Sequence, residues 1–187
     1  MRIIGGRARG LQLAPVGDGD AQAHLRPTSD RVREAIFNLL INGGYGSPLV
    51  GARVLDVFAG TGALGLEALS RGAAWCSFVD DGPVARALIK RNIALMRAEG
   101  ETDILRFDIR KLPENRGGPF SVLFLDPPYG KGLGEIALAS CRNGNWLAPG
   151  ALVIWEEGSA PALLPGFARL DQRKYGDTVV TILKAQE

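Results

Sequence analysis

The chain has 187 residues, of which 46% are hydrophobic and 22% charged, with two cysteines and a formal net charge of +2. This balance predicts one soluble domain whose core folds without disulfides or a structural metal, which excludes disulfide-rich and zinc-thiolate classes. Cys76 and Cys141 stand alone, and no signal peptide or apolar run of about 18 residues is found, so we expect a cytoplasmic protein outside the membrane.

The first 33 residues are more basic than the rest of the chain. They carry six arginines and three aspartates, a net charge of +3, whereas the other 154 residues sum to −1. A basic arm with glycine spacing favours a polyanionic partner, although the charge alone is equally compatible with a solvated terminus.

Local patterns predict the elements of this arm. Residues 2–4 and 11–13 are predicted as two short strands around a Gly-rich turn, and a polar stretch follows. Ser29 or Asp30 then caps a helix whose apolar positions recur at helical spacing until Asn42-Gly43-Gly44.

From residue 53 onward, apolar runs alternate with amphipathic segments, which is typical of a parallel sheet covered by helices on both faces. The predicted strands are residues 53–58, 75–79, 103–107, 120–126 and 151–156. The predicted helices are residues 63–70, 83–98 and 133–141, with Pro83 at a first helical position and Gly100 as a C-terminal stop. A closing β-hairpin is predicted from residues 167–175 and 178–184, separated by Gly176-Asp177.

A glycine loop connects the first of these strands to the helix after it. Gly60, Gly62 and Gly65 satisfy GxGxxG, and an acid lies about twenty residues downstream, as in nicotinamide dehydrogenases. Asp56 argues against that class, because its charge at the end of the strand would repel a pyrophosphate. The same charge suits S-adenosylmethionine, which bears an ammonium group, a sulfonium and a ribose. We expect this cofactor to contact Asp56 and the loop residues Phe58, Ala59, Gly60, Thr61 and Gly62.

Acids after the second and third strands are candidates for the rest of the cofactor site, since ligands bind beyond the carboxyl ends of such strands. Asp80 is expected to accept hydrogen bonds from both ribose hydroxyls. Its neighbour Asp81 is either the cap of the helix beginning at Pro83 or the residue that reaches the ribose instead. Asp108, followed by Ile109, either accepts from the adenine amino group or caps the turn after it.

The segment Asp126-Pro127-Pro128-Tyr129 is the expected catalytic centre. Its prolines hold the backbone extended, with free carbonyl groups. Asp126 and the Pro127 carbonyl can accept the two hydrogens of an exocyclic amino group while Tyr129 stacks on the base. We expect direct in-line methyl transfer, promoted by orientation and electrostatics, with no covalent enzyme intermediate and no metal.

Four blocks of the sequence resemble the bacterial 16S rRNA guanine-N2 methyltransferases: RIIGGRARG at residues 2–10, LRPTSDRVREAIFN at 25–38, DVFAGTGALGLEAL at 56–69 and DPPY at 126–129. The last two are shared with adenine-N6 methyltransferases of DNA, whereas the first two are more specific. The resemblance covers nearly the whole chain. It implies a Rossmann-like class I methyltransferase fold, with a mostly parallel seven-stranded sheet and an antiparallel last strand, and methylation of one guanine N2 in small-subunit rRNA.

The resemblance also implies roles for individual residues. It places Thr28 at the methionine end of the cofactor. This chain departs from the family at Asp80-Asp81, where a Glu is usual. The resemblance implies that residues 1–45 form an extension that binds RNA and borders the cofactor. Residues 46–187 then form the catalytic core. The candidates for contacts with RNA phosphates are Arg2, Arg7, Arg9, Arg26 and Arg31, with Lys131 and Arg110 as weaker candidates. A solvated role for Lys131 stays equally open.

The expected partner is 16S rRNA, within the small ribosomal subunit or an assembly intermediate, with its target base flipped from the stack. No protein partner is inferred, and a monomer is expected. Two other classes stay open. One is an adenine-N6 methyltransferase of DNA or RNA, although 187 residues leave no room for a large target-recognition region. The other is a non-catalytic ribosome-assembly protein that binds RNA.

Overall fold

A computed structural model describes residues 1–16 and 29–186 of the chain. The four helices in this part of the chain are α1 Asp30–Asn42, α2 Ala63–Ser70, α3 Pro83–Met96 and α4 Leu133–Asn143. The strands are β1 Arg53–Val57, β2 Trp75–Val79, β3 Thr102–Leu105, β4 Phe120–Leu125, β5 Leu147–Glu157, β6 Phe167–Tyr175 and β7 Thr178–Ala185.

These strands form one seven-stranded sheet in the order β3-β2-β1-β4-β5-β7-β6. The first five strands in this order, β3, β2, β1, β4 and β5, each pair in parallel with their neighbours. Strand β7 pairs antiparallel with both β5 and β6. The carboxyl ends of β1, β2 and β4 therefore lie side by side at one edge, where an open α/β sheet binds its ligands. The predicted closing hairpin is confirmed as β6 and β7.

Helices cover both faces of the sheet, as predicted. One buried apolar cluster includes Phe37 of α1, Leu66 of α2 and Ile89 of α3. The opposite cluster includes Leu138 of α4 and Trp155 of β5. Strands buried on both sides explain why their sequences are nearly continuous apolar runs.

Several predicted boundaries are wrong by a few residues. β5 begins at Leu147 rather than at residue 151, and β3 ends at Leu105 rather than at residue 107. The predicted stop of α3 at Gly100 is also wrong, because Arg97 already takes a left-handed conformation (φ +55°) that ends the helix. For α1 the cap is Ser29, whose side chain accepts from the Val32 N–H at 3.2 Å.

The two predicted N-terminal strands reduce to a single antiparallel bridge between Arg2 and Gln12. A 3₁₀ turn at Gly6–Ala8 joins the two sides. Backbone bonds beside this bridge run from the Ile3 N–H to the Leu11 carbonyl at 2.9 Å and from the Leu13 N–H to the Met1 carbonyl at 3.1 Å. The N–H groups of Ile4 and Gly5 donate to the Glu67 carboxylate, at 2.7 and 2.8 Å. We call residues 1–14 the arm.

The arm is packed onto α2 and is part of the core. Ile3 is fully buried, and the Ser70 hydroxyl both donates to the Gly5 carbonyl at 2.6 Å and accepts from the Ala8 N–H at 2.9 Å. A Cβ at Gly6 would lie 1.8 Å from the Ser70 carbonyl oxygen, so only glycine permits this approach. The basic arm is thus fixed to the helix that follows the glycine loop.

Candidate active site

The glycine loop joins β1 to α2 through backbone conformations that favour glycine. Gly60 and Gly62 have φ of +57° and +76°, and Gly62 is the N-cap of α2. Phe58 also has a positive φ, +58°, which is strained for a residue with a side chain. The Gly62 N–H donates to the Ala59 carbonyl at 2.7 Å and closes the turn. Strain of this kind is typical of a functional loop.

Asp56 lies beneath this loop. Its carboxylate is 1% exposed, and its Oδ2 accepts from the Gly65 N–H at 2.9 Å. Burial raises its pKa well above the usual value, the Gly65 hydrogen bond opposes that shift, and the charges of Asp126 and Asp80 reinforce it. Burial therefore favours the neutral carboxyl of Asp56 over its carboxylate, and one of its oxygens is committed to the first turn of α2.

Of the two neighbouring acids after β2, only Asp80 is directed into the glycine loop. Its Oδ2 accepts from the Gly60 N–H at 3.0 Å and its Oδ1 from the Gly82 N–H at 2.8 Å. Burial raises its pKa, and these two hydrogen bonds oppose the shift. Asp81 is exposed, and the prediction that it caps α3 is wrong, because the N-cap is Gly82 without a side-chain cap.

Asp108 caps the 3₁₀ turn Ile109–Lys111, as one of its two predicted roles requires. It accepts from the Arg110 N–H at 3.0 Å, and its two oxygens accept from the Arg110 guanidinium at 2.8 Å each. These bonds lower the Asp108 pKa. The adjacent Ile109 is buried in the α4-side cluster. Contact of either residue with adenine stays a prediction.

The segment 126–129 follows β4 at the same edge as Asp56. Asp126 is half-buried, Pro127 is buried and Pro128 is exposed. Tyr129 is 38% exposed, and its hydroxyl lies 3.2 Å from the Thr178 Oγ1 at the start of β7. Burial, together with nearby carboxylates, raises the pKa of Tyr129 to about 12, so its phenol is neutral at physiological pH. Tyr129 thus connects the end of β4 to the start of β7.

Glu157, which the sequence did not single out, holds the end of this segment. Its Oε1 accepts from the Gly130 N–H at 3.0 Å and from the Gly158 N–H at 2.9 Å, and the residue is buried. A Cβ at Gly158 would lie 3.1 Å from the Tyr129 ring. One carboxylate at the end of β5 therefore fixes the backbone on both sides of the aromatic ring. The sequence signal that could have identified Glu157 is the pair of acids, Glu156 and Glu157, at the end of the apolar strand β5.

Asn92 was also missed. It is fully buried in α3, donates from Nδ2 to the Thr61 carbonyl at 2.8 Å, and accepts at Oδ1 from the Ala14 N–H at 2.8 Å. The available signal was a polar residue between Ile89 and Ile93 on the apolar face of a helix, where burial requires partners.

The candidate RNA contacts differ in accessibility. Arg2, Arg9, Arg31 and Lys131 are exposed. Arg7 is exposed but forms an ion pair with Glu101, which lowers the Glu101 pKa, and Arg110 is paired with Asp108. Thr28 and Arg26 lie outside the described residues.

In the described ranges, we find no group of three or more acidic, histidine or cysteine side chains that could hold a metal, and no helix long and apolar enough to span a membrane.

A family model described as "Conserved hypothetical protein 95" matches residues 1–184. The chain belongs to this family. "Ribosomal RNA small subunit methyltransferase D" of Escherichia coli K12 is 42% identical over 157 residues, 83% of this chain and 74% of that protein. The protein of the same name from Haemophilus influenzae is 37% identical over 170 residues, covering 88% and 83%.

Solved structures agree with this family. "Putative methyltransferase yhhF from Escherichia coli" matches with a TM-score of 0.83 at 32% identity, over 100% of this chain and 98% of that one. The similarity confirms the family resemblance that the four sequence blocks predict. Together with the sheet order and its antiparallel β7, it also confirms the predicted Rossmann-like methyltransferase fold.

Proposed function

We propose that this chain is an S-adenosylmethionine-dependent methyltransferase of small-subunit rRNA that methylates the exocyclic N2 of one guanine. The observation that carries the proposal is the position of Asp56, Asp80 and Asp126 at the adjacent ends of β1, β2 and β4, beside a strained glycine loop. The names of the family relatives support rRNA as the substrate class.

The chemistry of these residues fits the proposed cofactor. S-adenosylmethionine supplies an electrophilic methyl group when it is bound. Asp80 keeps acceptor capacity beyond its bonds to Gly60 and Gly82, as binding of a ribose diol requires. Asp56 favours an ammonium end over a pyrophosphate, because a cation beside this buried carboxyl stabilises its ionised form whereas a pyrophosphate opposes it. Phe58, Ala59 and Thr61 belong to the same loop, and Thr28 and Ile109 are proposed to border it.

The segment 126–129 binds the target base in this proposal. Asp126 and the Pro127 carbonyl accept the two amino hydrogens, and the neutral Tyr129 stacks on the ring. With its hydrogens bound, the nitrogen directs its lone pair at the methyl carbon for in-line transfer. The rate enhancement then comes from orientation and electrostatics. Pro128 keeps the backbone extended, and Asp126 accepts the proton that the product releases.

The RNA is held by phosphate contacts from the exposed arginines of the arm and of α1, with Lys131 beside the base site. Arg2, Arg9 and Arg31 present their charge to solvent. The substrate is 16S rRNA, free or within the small ribosomal subunit, in the cytoplasm, and the enzyme acts as a monomer.

The test follows tritiated methyl transfer from S-adenosylmethionine to small subunits that lack the modification, followed by nucleoside analysis. Label in N2-methylguanosine is expected, and label in N6-methyladenosine would contradict the proposed base. Asp126→Ala is expected to abolish transfer while RNA binding persists. Glu114→Gln, an exposed carboxylate in the loop before β4, is the matched control and should transfer normally.

Phosphate contacts are tested by salt dependence. Arg9→Gln is expected to weaken RNA binding and to reduce the slope of log K against log salt by about 1. Lys174→Gln, on the exposed side of β6, is the control and should leave the slope unchanged. An unchanged slope for Arg9→Gln would exclude that arginine as a phosphate contact.

A further inference from the structure

The buried amide of Asn92 connects two segments that are far apart in the chain. Its Nδ2 donates to the carbonyl of Thr61, within the glycine loop, and its Oδ1 accepts from the N–H of Ala14, at the end of the arm. Both bonds are 2.8 Å long, and the side chain is 0% exposed. Buried amides bonded on both sides hold their partners at a fixed distance.

The same two segments meet at a second place. The Thr61 hydroxyl lies 3.7 Å from the Met1 sulfur, so the beginning of the arm also contacts the loop. Helix α2 starts at this loop, with Gly62 as its N-cap, and holds the arm near its other end through Glu67 and Ser70. A displacement of the arm therefore reaches the glycine loop through the rigid helix and directly through Asn92.

We propose that Asn92 is a positioning residue that couples RNA binding at the arm to cofactor binding at the glycine loop. The inference rests on the proposed function, in which the arm binds RNA and the loop binds S-adenosylmethionine. Binding of phosphates to the arm stabilises the docked position of residues 1–14. Through Ala14 and Asn92, it also favours the backbone conformation of Thr61 that the cofactor requires.

Coupling of this kind is reciprocal. If RNA increases the affinity for the cofactor by some factor, then the cofactor increases the affinity for RNA by the same factor. Factors of about 5 to 150 are typical of coupled sites. A purely structural Asn92 would lower stability when replaced, but it would leave this ratio of affinities unchanged.

The experiment measures the dissociation constant of S-adenosylhomocysteine with and without saturating unmodified small subunits. For the wild type, we expect at least fivefold tighter binding in the presence of subunits. Asn92→Ala is expected to reduce this ratio to less than twofold. Asn143→Ala, an exposed asparagine at the end of α4, is the matched control and should keep the wild-type ratio. A wild-type ratio in folded Asn92→Ala would overturn the inference.

Hydrogen exchange on the wild-type protein gives a second test, which holds even if Asn92→Ala does not fold. S-adenosylhomocysteine alone should slow exchange of amides in residues 3–14, and subunits alone should slow exchange in residues 58–62. Unchanged arm exchange with bound S-adenosylhomocysteine would refute the coupling. If the wild type binds neither S-adenosylhomocysteine nor subunits, the proposed function fails instead, so the two failures are distinguishable.

Discussion

Glu67 is the residue on which the docking of the arm depends most directly. Its side chain is 0% exposed and accepts from the backbone of Ile4 and Gly5, at 2.7 and 2.8 Å, and from the Arg71 Nε at 2.7 Å. The buried Arg33 places its Nε 3.9 Å from the same carboxylate. We therefore predict a large loss of stability for the isosteric change Glu67→Gln.

The magnitude follows from the donors that the carboxylate serves. A glutamine has one acceptor oxygen, so its NH₂ group must face the N–H of Ile4 or of Gly5. One hydrogen bond to a charged group, worth about 1.5–3 kcal/mol, is lost, and a buried donor is left unsatisfied. Arg33 and Arg71 also lose their shared anion, and removing one partner of a buried ion pair costs about 3–5 kcal/mol. Because these losses overlap, we expect the free energy of unfolding to fall by about 3–5 kcal/mol.

Urea denaturation at neutral pH, followed by far-UV circular dichroism, measures this change. The control is Glu34→Gln on the exposed face of α1, which should lie within about 0.5 kcal/mol of the wild type. Hydrogen exchange of residues 3–13 should accelerate in Glu67→Gln and not in the control. A loss of less than 1 kcal/mol for Glu67→Gln would refute the argument that its carboxylate anchors the arm.

Three further predictions concern the site. Burial raises the pKa of Asp56, so the folded state keeps a proton that the unfolded chain loses above about pH 4. The stability that this proton contributes is complete below that pH and is lost as the pH rises through the folded pKa. Asp56→Asn should flatten this decline, and parallel melting curves against pH for variant and wild type would contradict the burial argument. Glu157→Ala should lower kcat for methyl transfer about 10-fold or more, because the N–H groups of Gly130 and Gly158 both donate to its Oε1 and would lose that acceptor. The affinity for S-adenosylhomocysteine should stay unchanged, and an equal loss of both quantities would exclude a role confined to the segment 126–129. Gly65→Ala should destabilise the fold by about 1–3 kcal/mol, since the added Cβ would lie 2.5 Å from both the Cys76 Sγ and the Phe78 ring. A neutral or stabilising result in urea denaturation would show that α2 can shift away from β2.

The parts of the site that the sequence predicted are those set by local pattern. Strand, glycine loop and helix follow one another between β1 and α2, so their conformation is encoded within about a dozen residues. Asp80 and Asp126 each follow an apolar strand, and the parallel order of the sheet brings such positions together. The sequence predicts two alternative roles for Asp108, because a cap and a ligand contact produce the same local pattern.

The parts that the sequence missed depend on contacts between distant residues. The two N-terminal strands pair over fewer residues than predicted, because the Gly5 N–H, which would extend their pairing, donates to Glu67 more than 60 residues away. Asn92 and Glu157 each bond the backbone of segments that meet them only in the folded chain. Side-chain periodicity does not encode such partners, although a polar residue on an apolar helix face or at a buried strand end indicates that one exists.

The docking of the arm also determines which variant can test its proposed role in RNA binding. On the sequence alone, deleting residues 1–10 removes only a basic, glycine-rich segment. In the fold, the same deletion would remove the buried Ile3 and expose the carboxylate of Glu67. A deletion would thus weaken RNA binding through the fold whether or not the arm touches RNA. Replacing the exposed side chain of Arg9 alone changes the charge and leaves these contacts in place, so its salt dependence reports on phosphate binding.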